Sequence, residues 1–281
     1  MQAEKKNLPK KTCAEECRLT AQKLGLYCPP EKTFIVTGNW KMNGDKKIAD
    51  QIIKLLRCSP IVKGNEVILG IPAPYLDYVQ QRKPKFVSVA GQNVYKESKG
   101  PYTGEISADM LIDWGVKWVI LGAAERRIYF HEDYDLIGAK AKYALDQGVK
   151  VLLCIGETAG QRECKEHIQA LHKQLDTVLD YVDKPKWKNI MIVYEPLWTV
   201  GTGRTAELDE VQEAADAIRT WVKDNVDEEI AINIFIQFGG PMTPTTAKLY
   251  ANLKDIDGLY VGAPSLKPEF IGIINANAKA E

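Results

Sequence analysis

The sequence predicts an α/β protein: a (β/α)8 barrel carrying a short N-terminal extension. Three observations carry that prediction. From Thr33 onward, short β-branched and aromatic runs alternate with longer segments of helical period. Eight such runs occur, over about 250 residues, the span of one closed parallel barrel. Most of the runs are apolar throughout, as strands buried on both faces require. An open, doubly wound sheet would place a glycine-rich phosphate fingerprint after its first strand. The residues there are Asn39-Trp40-Lys41-Met42-Asn43-Gly44, which lack it.

Residues 1–30 differ from the rest and are read as an N-terminal extension ahead of a barrel over 31–281. Lys5–Lys11 is basic and contains Pro9. Thr12 with Glu15 forms a capping box and Gly25 a stop, which predicts a docking helix over 12–24 with a narrow seam of Cys13, Cys17, Ala21 and Leu24. Cys28-Pro29-Pro30 closes the segment with residues that helices exclude. Cys13 and Cys17 share one helix face without further metal ligands nearby, so they read as free thiols. The predicted strands are Thr33–Gly38, Glu66–Ile71, Phe86–Gly91, Lys117–Gly122, Lys150–Gly156, Asn189–Glu195, Ile232–Gly239 and Gly258–Gly262. Helical period is seen over Lys46–Leu56, Ala108–Trp114, Leu136–Gln147, Arg162–Tyr181, Leu208–Val226, Pro244–Leu253 and Pro268–Asn277.

Composition excludes several functions. Lys plus Arg and Asp plus Glu are 37 each in 281 residues, so no global field favours nucleic acid or an anionic membrane. Apolar runs fall short of the roughly 18 residues that a membrane helix needs. Met1–Pro30 lacks the apolar centre of a signal peptide, and Glu4, Glu15 and Glu16 argue against a transit peptide. Six irregularly spaced cysteines read as reduced intracellular thiols. A cytoplasmic protein is expected, with an organellar assembly as the alternative.

A barrel of this kind carries its chemistry on the loops that follow the strands. After the first strand stand Asn39 and Lys41, an amide and a cation aimed at the mouth. After the sixth comes Glu195, then Pro196-Leu197-Trp198 and a glycine-spaced arm to Ala206, a pattern that reads as a general base beside a hinged lid. After the fourth the chain runs Gly122-Ala123-Ala124-Glu125-Arg126-Arg127. There Ala123 stands where a strand end would present a side chain to the reaction.

From Thr33 to Ala278 the sequence resembles the triosephosphate isomerase family. The resemblance rests on GNWKMNG at 38–44, QNVYKESKGPYTGEIS at 92–107, CIGET at 154–158, YEPLWTVGTGRTA at 194–206 and SLKPEFIGIINA at 265–276. It implies a TIM barrel, usually dimeric, that interconverts dihydroxyacetone phosphate and glyceraldehyde 3-phosphate without metal or cofactor. On that resemblance Asn39 and Lys41 match the substrate-binding pair, and Glu195 matches the base that moves a proton between adjacent carbons. Leu197–Ala206 matches the closing lid, with Gly201 on its arm, while Gly239, Gly240 and Gly262 fall in the phosphate loops. A carboxylate base working beside a neutral histidine is the division of labour already described for this family.

The departures gather at the site. Where family members read G-H-S-E-R-R, this chain has Ala123 in place of the histidine that polarises the carbonyl. Loss of such a proton donor typically costs on the order of 10²–10⁴-fold. Y-G-G-S-V becomes Phe238-Gly239-Gly240-Pro241-Met242, and Pro241 has no N–H for a phosphate. G-G-A-S becomes Gly262-Ala263-Pro264-Ser265, which adds a methyl and stiffens the turn. Glu125 and Arg126 are kept; Glu125 counts among the catalytic positions that the resemblance implies, and the structural alternative for both is an ion-pair network beneath the site. The expectation is therefore a catalytically inactive or severely impaired isomerase-like barrel, serving as a structural or interaction subunit. The alternative is a weakly active isomerase, or a barrel with an altered small-anion ligand. The loop Gln92–Ile106 matches the segment that inserts into a neighbouring subunit and predicts a homodimer. Residues 1–30 would be the route to a heterologous partner.

Overall fold

The computed structural model describes residues 33–200 and 202–278. The predicted docking helix and Cys13, Cys17 and Cys28 lie outside the described residues, as does Gly201. Eight parallel strands close into a barrel in chain order: β1 (Ile35–Asn39), β2 (Glu66–Ile71), β3 (Val87–Gly91), β4 (Trp118–Leu121), β5 (Lys150–Ile155), β6 (Ile190–Tyr194), β7 (Phe235–Gly239) and β8 (Gly258–Val261). Closure is made by β1 against β8, with Ile35 opposite Gly258 and Gly38 opposite Val261.

The apolar runs are explained by two buried layers separated at period two. In β5, Val151, Leu153 and Ile155 face the helices, while Leu152 and Cys154 face the barrel interior; in β6, Ile192 and Tyr194 face out and Met191 and Val193 face in. The interior layer also takes Ile35, Ile68, Ala90, Ile120, Ala123 and Tyr260. This packed interior supports the mouth from below, so side chains just past the strand ends stand on a rigid floor.

Two segments differ from the sequence expectation. Arg162–Tyr181 is two helices, Ala159–Glu163 and His167–Leu179. The first begins in a Thr158–Gln161 capping box and ends at Cys164, after which Lys165 takes a left-handed φ of 59°. The inward stripe of Leu171, Leu175 and Val178 starts only in the second helix, so nothing apolar ties Arg162–Glu166 to the same axis. Strand seven begins at Phe235 rather than Ile232, because Asp227 caps a helix over Glu228–Asn233 by accepting from the Ile230 N–H at 3.0 Å. The alternation of Ile230, Ile232, Ile234 and Ile236 mimics a strand, and the cap overrides it. No helix among the described residues is long and apolar enough to cross a membrane.

Candidate active site

β1 delivers Asn39 to the mouth as a buried carboxamide. Its Nδ2 donates to the Tyr260 hydroxyl at 2.6 Å, and its Oδ1 accepts from the Lys41 N–H at 2.9 Å and from Gln92 Nε2 at 3.0 Å. The short-range bond from Lys41 holds that residue at a left-handed φ of 52°, a conformation that L-residues keep only where the surroundings enforce it. Gln92 also donates to the Lys41 carbonyl at 2.8 Å, which locks the loop from outside. The Lys41 ammonium pairs with Glu125. Burial works against the charge on Lys41, but Glu195 and the bond to Glu125 outweigh it and lift its pKa above the ordinary lysine range.

Glu195 follows β6 directly, and its N–H donates to the Ile155 carbonyl at 2.8 Å. This close approach depends on Gly156, where a Cβ would fall 1.9 Å from the Glu195 carbonyl oxygen. The glycine of the CIGET motif is therefore what lets the base sit where it does. The carboxyl is buried, and its Oε2 has no hydrogen-bond partner among the described residues. Burial pushes its pKa up; Lys41 opposes the rise and Glu125 adds to it. Glu195 and Lys41 line one cavity of about 580 Å³, together with Val200, Pro241, Tyr260 and Ala263.

The turn after β4 is set by Gly122, at a φ of 75°, where a Cβ would meet the Cys154 carbonyl at 2.6 Å. Arg127 staples this turn to the next, donating from Nε to the Gly122 carbonyl at 2.9 Å and from Nη1 to the Gly156 carbonyl at 3.2 Å. Ala123 then caps the helix Ala124–Tyr129 through its backbone alone. Its methyl joins the inner layer, so no donor reaches the cavity from this position. The three histidines stand elsewhere: His131 is exposed beyond that helix, and His167 and His172 lie on His167–Leu179, with His167 Nε2 at 3.2 Å from Glu213 Oε2.

Glu125 and Arg126 separate into two roles. The expected ion-pair network holds for Arg126, which donates from Nε to Glu132 Oε1 at 2.6 Å, where Lys140 Nζ also arrives at 2.5 Å. Glu125 instead reaches into the mouth to pair with Lys41. Lys140 is 2% exposed, and the second oxygen of Glu132 has no hydrogen-bond partner among the described residues. Lys140→Met should therefore destabilise the fold by about 3–5 kcal/mol, the usual cost of stranding one partner of a buried pair. Chemical denaturation of the two proteins measures it, and a loss below 1 kcal/mol would mean that Arg126 alone satisfies Glu132.

The rim opposite Ala123 is formed by the turns after β7 and β8. Gly239 is buried, and a Cβ there would stand 3.2 Å from Tyr260 Cδ1 and 3.4 Å from Glu195 Cβ. Gly240 follows over the Phe238 ring, and then Pro241 is exposed at the cavity edge. The next helix, Pro244–Tyr250, is capped by its own side chains, Thr246 N–H donating to Thr243 Oγ1 at 3.3 Å. Gly262 lies under the Lys41 stem, 3.2 Å from Cε to a built Cβ, while Ala263 and Pro264 line the cavity. The segment expected to form a lid is held at its start by Trp198 Nε1 donating to buried Glu157 at 2.8 Å, and at its end by the Tyr250 hydroxyl donating to the Ala206 carbonyl at 2.7 Å. Asn39, Lys41, Glu125, Glu195, Gly239, Gly240 and Gly262 thus share one end of the barrel. Sequence reasoning missed Tyr260 and the anchoring role of Gln92. The inward parity of Tyr260, two residues before Gly262, was the available signal for the first.

The protein-family model described as triosephosphate isomerase matches residues 34–277. The triosephosphate isomerase of Neurospora crassa is 44% identical over 248 residues, a match that covers 88% of this chain and 99% of that protein.

Proposed function

Because this chain belongs to the triosephosphate isomerase family, we propose that it is a slow isomerase that interconverts dihydroxyacetone phosphate and glyceraldehyde 3-phosphate. The observation that carries the reading is Glu195, a buried carboxylate that lines the same cavity as Lys41 and has one oxygen without a hydrogen-bond partner among the described residues. Such a carboxylate can take a proton from the carbon beside a carbonyl and return it to the neighbouring carbon. The Lys41 charge favours an anionic substrate and the negative charge that grows on the enediolate. Ala123 supplies no donor, and Pro241 no N–H, so turnover is reduced rather than redirected. An idle barrel serving as a structural subunit would need none of this apparatus, and the 44% identity along almost the whole Neurospora protein favours the isomerase.

A coupled assay on protein purified from a host lacking its own isomerase tests this. Turnover is expected at least about 10³-fold below an ordinary family member, given the magnitudes for a lost donor and weakened anion contacts. Its acid limb should lie above the ordinary carboxylate range, because activity needs ionised Glu195 and burial raises that pKa. Near-normal kcat/KM would show that the altered loops matter little, and turnover that persists in Glu195→Gln would remove the base from the mechanism.

We further propose a homodimer built on the loop 92–106. That loop is braced internally, with Tyr95 and Tyr102 rings 4.3 Å apart and the Tyr95 N–H donating to the Ile106 carbonyl at 2.7 Å. Beside it lies a groove lined by Met42, Gly104, Tyr129 and Phe130, and Met42 is 95% exposed. Tyr129 and Phe130 in the same groove are also exposed, and a contiguous apolar patch is characteristic of a contact surface. Light scattering should report a dimer for the full chain and for the chain without residues 1–30; a monomer in the shorter form would assign association to the extension instead.

A further inference from the structure

Tyr260 is the one aromatic side chain of the interior layer whose hydroxyl reaches the mouth at Asn39. It lines the cavity with Glu195 and Lys41, and its ring and the base flank the same point above Gly239. The hydroxyl accepts a hydrogen bond from Asn39 Nδ2, so its own proton is directed elsewhere. The buried Cys154 thiol belongs to the same inner layer, and a thiol is a weak acceptor that a substrate oxygen displaces readily.

We propose that Tyr260 is a catalytic residue, the donor to the substrate carbonyl oxygen in the absence of any donor at Ala123; this rests on the isomerase reading above. Glu195 removes a proton from the carbon beside the carbonyl, the C–H pair forms the new C=C bond, and the C=O π pair moves to oxygen. That oxygen takes the phenol proton. The phenolate left behind is held by the Asn39 amide and recovers a proton from the adjacent hydroxyl, whose oxygen re-forms a carbonyl as Glu195 returns its proton to the other carbon. The sequence is closed in atoms and electrons and needs no co-reactant. Burial, with Cys154 and Glu195 adding to it, pushes the Tyr260 hydroxyl well above the ordinary tyrosine range. The group therefore stays neutral, the form in which it can donate.

Tyr260→Phe keeps the ring and removes the donor. Its kcat should fall by about 10²-fold or more with KM changed less than about threefold, the pattern of an interaction made in the transition state. Binding of 2-phosphoglycolate, whose carboxylate mimics the enediolate charge, should weaken about tenfold or more, whereas inorganic phosphate should bind unchanged. A Phe variant that turns over as fast as the wild type or faster, or that binds 2-phosphoglycolate equally well, overturns this inference alone and makes Tyr260 a filler of the mouth. A wild-type protein without Glu195-dependent turnover overturns the isomerase reading, and this inference falls with it.

Discussion

Glu195→Gln is expected to lower kcat/KM by about 10²–10⁴-fold, the range for loss of a positioned general base, and to raise the melting temperature at neutral pH. Both results follow from one environment. Glu195 is buried, one of its oxygens has no hydrogen-bond partner among the described residues, and burial raises its pKa above the ordinary carboxylate value. A carboxyl whose folded-state pKa is raised contributes stability that is fully present below the unfolded pKa and is lost as pH rises through the folded one. At neutral pH the wild type therefore holds an ionised, desolvated group, and the neutral amide of the variant does not. Lys41 loses an attractive neighbour in the exchange but keeps its pairing with Glu125. The gain in melting temperature should shrink as the medium is acidified toward the unfolded carboxylate pKa. A variant that melts lower at neutral pH, and retains activity within tenfold, would show that Glu195 is a structural counter-ion of Lys41.

That trade of stability against activity was partly legible in the sequence. A carboxylate at a strand end followed by proline and tryptophan declares its own role, because few structural needs call for it there. The barrel was legible for the same reason: β5 and β6 read as apolar runs, and only burial on both faces sustains such runs. What stayed hidden were features decided by side-chain direction and by competing local bonds. Within Gly258–Val261 every residue is apolar or aromatic, so polarity does not mark Tyr260 as turning inward while Leu259 and Val261 turn out, and only its parity with Gly262 does. Glu125 and Arg126 are adjacent in sequence, yet the helix turns one toward Lys41 and the other toward Glu132. The Glu228–Asn233 helix was hidden by its own isoleucines, whose alternation is as good for a strand as for one turn of helix after Asp227.

Ala123→His alone should leave kcat/KM more than tenfold below an ordinary family member, and adding Pro241→Ser, Ala263→Gly and Pro264→Ala should raise it at least about 10²-fold further. The single change restores a donor to a buried inner layer that already holds Ile120, Cys154 and Tyr260, so a larger side chain there meets an occupied interior and costs packing energy. Two donors serving one oxygen would also not add their separate worth, since residues acting on the same transition state are non-additive. The phosphate rim is a separate deficit on the opposite side of the cavity. Pro241 offers no N–H, and Ala263 and Pro264 line the same rim. Each hydrogen bond regained to a charged phosphate is worth about 1.5–3 kcal/mol, or roughly 10–10²-fold in affinity. Recovery from the rim changes should therefore appear mainly in KM, and recovery from Ala123→His mainly in kcat. If the histidine alone brings the rate to within tenfold of an ordinary member, the altered rim still holds phosphate well. Position 123 would then account for nearly all of the deficit.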